Sequence, residues 1–321
     1  MARTSVGAPQ IAGVERASST LTVPVWRSSF TYGGHSYPFA IVGTNPITSP
    51  IVTPINVTIV PLRLTFANGT ILDATSTAAV LPKSPLFVAA TYAAGKTQYG
   101  DALMRSEFWS YIHKGAANYH VLLASPKLEP TLRLTVPSSD GYAIGSGSTV
   151  EGRMNFAWFV QSEEKQIIDT LHIPPSSLTI FATVNARVLE PFKVNGAYYC
   201  CYNGYHYDFP VTTTSGQEIW TTAWASTTST NLDHLSHEIA EWFNDPFYTN
   251  FVPRWVAPQT NACGGDQLEV GDPVTLHYFQ VNGFTLQDEA FYSWFSRQNP
   301  SVGINGLYDL QGVLKQPAAN C

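Results

Sequence analysis

Hydrophobic positions recur along this chain with two periods. From about residue 20 to residue 80 they alternate or run together over short stretches bounded by Pro, Gly and Asn, which is the pattern of β-strands. Strands are predicted at 21–25, 39–42, 55–66 and 71–72, with Asn68-Gly69 as a tight hairpin turn between the last two. Helical spacing follows over 101–111, where Arg105 is placed to reach back one turn to Asp101. Two further strands are expected at 119–123 and 131–136. After a loop rich in Ser, Gly and Asp (138–148), the pattern predicts a helix over 157–171 stopped by Pro174-Pro175, and strands at 178–188 and 218–225. A last helix is expected over 287–297, with Phe291, Trp294 and Phe295 on one face. These elements describe an α+β fold with a β-rich amino-terminal half. The expected organisation is a loosely held polar arm (1–18), a β-rich domain (19–148) and an α+β domain (149–321).

The sharpest periodicity lies between Asn231 and Pro246. At about 100° per residue, Leu232, Leu235, Ile239, Trp242 and Phe243 fall on one stripe, and His234, His237, Glu238, Glu241 and Asp245 on the opposite one. A face that simply meets water usually mixes Lys or Arg among its acids. Here Glu238 and Glu241 are three apart and Glu241 and Asp245 four apart, in the half of the helix whose dipole disfavours anions. A positive charge is expected over this face.

Composition narrows the classes of function. Only 12% of the 321 residues are charged and 44% are hydrophobic, enough for a large core, with the Ser, Thr, Gly, Pro and aromatic content common in exported proteins. The net charge of −6 comes with no basic cluster, which excludes nucleic acid and anionic membrane as electrostatic partners. No apolar run is long enough to span a membrane, and the first residues lack the apolar core of a signal peptide. Cys200, Cys201, Cys263 and Cys321 fit no zinc-binding spacing. Neighbouring cysteines do not readily bond each other, so two disulfides, joining Cys200 and Cys201 separately to Cys263 and Cys321, are one arrangement open to an oxidising compartment.

Side chains at i and i+4 project side by side from a helix, which is why zinc peptidases place two ligands at that spacing with a glutamate after the first. His237 and Glu241 occupy the ligand positions, and Glu238 that of the general base, giving His-Glu-x-x-Glu. A carboxylate in place of the second imidazole leaves the ion less positive, so manganese or calcium competes with zinc. Leu268-Glu-Val-Gly-Asp-Pro273 offers Glu269 and Asp272 as sources of a third ligand. His234 could instead complete a triad on the helix, Asp245 could be an anion held by Arg254, and His206 is either an aromatic-packed core residue or a stabiliser of a developing oxyanion. No Gly-x-Ser-x-Gly elbow, phosphate loop or dinucleotide fingerprint is present.

On the residues 236–246, 268–273 and Val281-Asn-Gly-Phe-Thr-Leu-Gln287, the chain resembles a group of exported bacterial proteins and, over the last third or so, the plant EXORDIUM (phosphate-induced) family. Thr97-Gln-Tyr-Gly-Asp-Ala102, with Arg105, Phe108 and Trp109, extends the bacterial resemblance over most of the chain. The resemblance implies an extracytoplasmic location and a His-Glu-x-x-Glu helix paired with a later Glu-x-x-Asp segment; His234 lies outside the shared pattern. Together these features lead to the expectation of a secreted protein with a zincin-like carboxy-terminal half. It would hold one divalent metal, zinc first, through His237, Glu241 and Asp272 or Glu269, and hydrolyse a protein or peptide with Glu238 as base. The rival expectation is a non-enzymatic surface protein, wall-associated, polysaccharide-binding or self-assembling, with a structural metal.

Overall fold

The computed structural model describes residues 21–321 apart from 192, 195, 196, 199 and 215, so the expected arm at 1–18 lies outside the described residues. Strands and helices are both present, as an α+β protein requires. The centre is a sheet built on one long strand. Two strands, β1 (Val25–Tyr32) and β2 (His35–Val42), form a separate antiparallel hairpin before β3 (Val52–Phe66) crosses the molecule. β4 (Ile71–Asp73) folds back on β3 through the turn at Asn68-Gly69, where Gly69 takes φ +83° as the tight turn demands. Three short strands, β5 (His120–Leu123), β6 (Lys127–Leu128) and β7 (Leu132–Val136), pair in parallel along successive stretches of β3. β8 (Ser177–Thr183) joins β3 in parallel, β10 (Gly216–Ser226) joins β8 in parallel, and β9 (Gly204–Thr213) closes this side antiparallel to β10.

The two-residue period of these strands sorts their side chains onto two faces. Ile59, Ile180 and Ala223 lie in register across the sheet and belong to one hydrophobic core; Val60, Phe181, Trp224 and Tyr205 lie one residue on and belong to the other. The first core also draws in β1, β2, the helix α1 (Tyr99–Glu107) and the helix α2 (Asp233–Asn244). The boundary expected at residue 148 therefore falls inside one continuous sheet: β3 from before it is hydrogen-bonded to β8 from after it.

Several local expectations change. The helix from 156 to 170 forms, but with a π-helical middle at Phe159–Glu164. The strand expected over 178–188 breaks at Asn185, which takes φ +48°, and Ala186–Leu189 pairs in another sheet with Glu151–Asn155. The last helix shrinks to Tyr292–Phe295, because residues 284–287 form the second strand of a hairpin, β11 (Tyr278–Val281) with β12 (Phe284–Gln287). Phe291, Trp294 and Phe295 are buried as their spacing required. Arg105 turns away from Asp101 to the backbone carbonyls of Ala117 and Tyr119. Asp101 instead takes His120 Nδ1 at 2.8 Å, the Thr97 hydroxyl at 2.6 Å and the Val121 amide at 2.7 Å. The cysteines pair as Cys200–Cys201 and Cys263–Cys321, so the neighbouring cysteines do bond each other and the expected cross-pairing is replaced. No helix among the described residues is long and apolar enough to cross a membrane.

Carboxyl groups are buried on both faces of the sheet. Glu107 accepts the Tyr292 amide, and Glu164 accepts the Tyr205 hydroxyl at 2.5 Å. Burial pushes both carboxyls from 4.5 up to about 8, above any lowering by these hydrogen bonds. A carboxyl whose folded pKa is raised stabilises the fold below its unfolded pKa, and that contribution fades as pH climbs toward the folded value. The melting temperature is expected to be higher at pH 5 than at pH 8, and Glu107→Gln with Glu164→Gln to flatten the dependence. Scanning calorimetry across that range checks it, an unchanged slope in the double variant being the contrary result.

Candidate metal centre

Helix α2 is formed and oriented by its apolar stripe. Leu232, Leu235, Ile239, Trp242 and Phe243 are fully buried, each worth about 1.5–3 kcal/mol in transfer terms. The helix starts with Asp233 in its first turn, where the dipole favours an anion, and stops before Pro246. Gly100 of α1 sits where a Cβ would lie 2.1 Å from the Phe243 ring, so that ring packs directly on the backbone of α1. Asn250 fastens the far end, exchanging hydrogen bonds with the Ala40 backbone and donating to the Asn244 carbonyl.

With one face committed to the core, the other carries His237, Glu238 and Glu241 against strand β9 and the loop at 268–273. The alternation of β9 turns Tyr205 into the second core and places Gly204, His206 and Asp208 on the helix side, since His206 is in register with Ala223. Gly204 is open because Glu238 occupies its side-chain space: a Cβ there would lie 2.6 Å from Glu238 Oε1. His206 Nδ1 lies 3.7 Å from both Glu238 Oε2 and Glu241 Oε2. Gly271 plays the matching part on the opposite side, since a Cβ there would lie 2.2 Å from His237 Nδ1.

His237 Nε2 is 3.0 Å from Glu241 Oε1 and 3.9 Å from Asp272 Oδ1, so three residues singled out by their spacing converge on one point. Asp272 stands at the mouth with its side chain half exposed, whereas Glu238 and Glu241 are 6% and 3% exposed. Glu269 reaches the cluster through a hydrogen bond with Glu241 rather than beside His237, and the Gly271 amide donates to Glu241 Oε1 at 3.2 Å. His234 points away, to Asp233 Oδ1 at 2.7 Å, and is not part of the site. Asp245 is held by the backbone amides of Thr249 and Asn250, not by Arg254.

The electrostatics are those of crowded anions. Burial pushes Glu241 up, but His237 beside it wins and its pKa falls to about 2. Glu269, buried next to that charge, is pushed well above the usual carboxylate range, and Glu238 is raised by its own burial. Burial would neutralise His237, yet Glu241 holds it well above its ordinary value. The positive groups that lower Glu241 are the two histidines of the site. Protons on His237 and Glu269 thus stand where a cation would. One imidazole with two carboxylates, His237, Glu241 and Asp272, is a donor set that zinc accepts with room for a water, and that manganese also fits.

His206 and Gln287 are the parts that the helix spacing did not reveal. Gln287 Nε2 lies 2.7 Å from His237 Nδ1 and donates to the Gly271 carbonyl at 2.9 Å, while its backbone amide donates to Ser236 Oγ. The signal for His206 was the alternation Gly204, His206, Asp208 against Tyr205, Tyr207, Phe209. In front of the cluster opens a cleft of about 430 Å³ walled by Phe156, Tyr202, Tyr205, Tyr207 and Tyr248. No protein-family model, no curated protein and no solved structure matches this chain at a significant level.

An ion on His237 Nε2 would leave that ring's proton on Nδ1, which then needs an acceptor; a half-turn of the Gln287 amide would supply its oxygen in exchange for the hydrogen bond to the Gly271 carbonyl. Gln287→Leu is expected to weaken zinc binding by about 10–100-fold with the fold intact, as is usual for a lost partner behind a ligand. Competition with a chromogenic chelator measures this, and an unchanged affinity would remove Gln287 from the site.

Proposed function

We propose that this protein is an exported, zincin-like metallohydrolase that cleaves peptide bonds, with one divalent ion, zinc first, held by His237, Glu241 and Asp272. The observation that carries the reading is the convergence of those three groups at 3.0 and 3.9 Å beside a buried, otherwise unligated carboxylate, Glu238. An ion bound there supplies Lewis acidity, acidifying a water and polarising a carbonyl. Glu238 is next to it on the same helix face, and burial raises its pKa toward the range in which a base both accepts and returns a proton near neutrality. In amide hydrolysis Glu238 takes one proton from the attacking water as the C–O bond forms, and hands it to the leaving nitrogen as the C–N bond breaks.

Strand β9 favours an extended peptide as the substrate. It is the terminal strand of the sheet on the side of the cluster, so its outer edge offers backbone groups to which a peptide adds as a further strand. The aromatic wall of the cleft gives side chains of that peptide apolar surface. The paired cysteines fit an oxidising location outside the cytoplasm, and the resemblance to exported bacterial proteins and to the EXORDIUM family points the same way.

Purified protein is expected to retain zinc at the first site in both wild type and Glu238→Gln, whereas hydrolysis of an unstructured protein such as casein falls by about 10²–10⁴-fold in the variant. Elemental analysis and a fluorogenic assay read the two quantities. Bound zinc with no hydrolysis in the wild type would instead favour a structural metal in a non-enzymatic surface protein.

A further inference from the structure

His206 has no role in the reading above, yet it is among the most deeply placed groups of the cluster. Its side chain is 3% exposed, and its Nε2 has no hydrogen-bond partner. Its Nδ1 faces Glu238 Oε2 and Glu241 Oε2 at 3.7 Å each, too far for hydrogen bonds. It is close to the separation, about 3.4–3.6 Å, of two ligands each some 2.1 Å from a shared ion. His206, Glu238 and Glu241 offer donor atoms within 4.8 Å of one another, as do His237, Glu241 and Asp272. Glu241 belongs to both sets through different oxygens, Oε1 toward His237 and Oε2 toward His206.

We propose that His206, Glu238 and Glu241 form a second divalent-metal site, with Glu241 bridging the two ions. Charge supports two ions over one. Glu238, Glu241, Glu269 and Asp272 crowd the cluster, with Asp208, Asp245 and Glu289 close enough to act on its histidines, which is more negative charge than one divalent ion neutralises. A carboxylate with one oxygen on each ion suits the spacing of about 3.5–4 Å usual in two-metal centres. The imidazole selects zinc or manganese over calcium. One consequence rests on the hydrolytic reading. An ion in the inner site occupies the Glu238 oxygen that faces His206, so filling it withdraws the base and slows turnover.

Calorimetric titration of metal-free full-length protein with Zn²⁺ is expected to show two equivalents for the wild type, one for His206→Ala and one for Asp272→Asn, whose side chain lies at the open mouth. Manganese-loaded wild type is expected to give the multiline signal of an exchange-coupled pair in electron paramagnetic resonance, absent in His206→Ala. A single equivalent in the wild type that survives His206→Ala overturns the inner site and leaves the outer one standing; no binding by folded wild type overturns both. Casein turnover by the wild type should peak near the first equivalent and decline toward the second. Turnover that climbs through the second equivalent overturns the inhibitory role. No turnover at any ratio removes the hydrolytic reading and that role together, while the calorimetry still decides the site.

Discussion

A carboxylate withdrawn from water costs several kcal/mol unless something positive meets it, and this protein withdraws Glu238, Glu241 and one carboxyl oxygen of the half-buried Glu269 at one spot. The rest of the structure is arranged around that demand. Helix α2 spends five large apolar side chains on the core, which fixes its rotation and leaves His237, Glu238 and Glu241 nowhere to go except against β9 and the loop at 268–273. The packing energy that builds the fold therefore also forces the acids together, where a cation would turn that repulsion into a binding site.

The supports reach back to the beginning of the chain. Gln98 ties α1 to β5 through the Leu123 amide and carbonyl, and Tyr99 donates to the Gln287 carbonyl and to Glu289. Gly100 then lets Phe243 in. A three-residue run, Gln98-Tyr-Gly100, so positions both the helix that carries His237, Glu238 and Glu241 and the strand end that carries Gln287. This gives a physical reason for residues 97–102 to bear on a helix more than a hundred residues later. Two missing side chains matter as much as those present: Gly204 makes room for Glu238, and Gly271 for His237.

How much of this the sequence discloses depends on the range of the interaction. The candidate ligands on α2 were legible because a helix writes its faces at a fixed spacing, and Asp272 because a short acidic turn downstream could return over them. The strands β3, β5 and β7 were legible from alternation; the single sheet joining them to β8 was not, since parallel pairing leaves no turn between partners. His206 is buried and packed on Tyr248, as the reading of an aromatic-packed core residue has it, but its place beside the acids was not legible. On a strand, a polar side opposite an aromatic one ordinarily faces water, and only the tertiary approach of α2 makes Gly204, His206 and Asp208 an inner wall. Gln287 was drawn into a helix by the apolar residues after it, although the hairpin at Asn282-Gly283 ends with it. The pairing of Arg105 with Asp101 followed local spacing and lost to the backbone carbonyls and His120 that the fold brought nearer.

The protein uses two different remedies for buried acids, and the contrast argues for what the cluster is. Outside the cluster, Glu107 and Glu164 meet no cation, Glu164 accepting only the hydroxyls of Tyr205 and Thr222, and burial raises both to about 8. A lone carboxyl needs no more than its own proton. In the cleft that remedy is only partly used: Glu241 is driven the other way, to about 2, by the two imidazoles that face its two oxygens. A carboxylate kept ionised in a buried place, with a nitrogen donor presented to each oxygen and neutral acids held beside it, is costly as mere structure. The same arrangement is favourable wherever a divalent ion replaces the protons, because each ligand is then already in place and no reorganisation is needed to receive it.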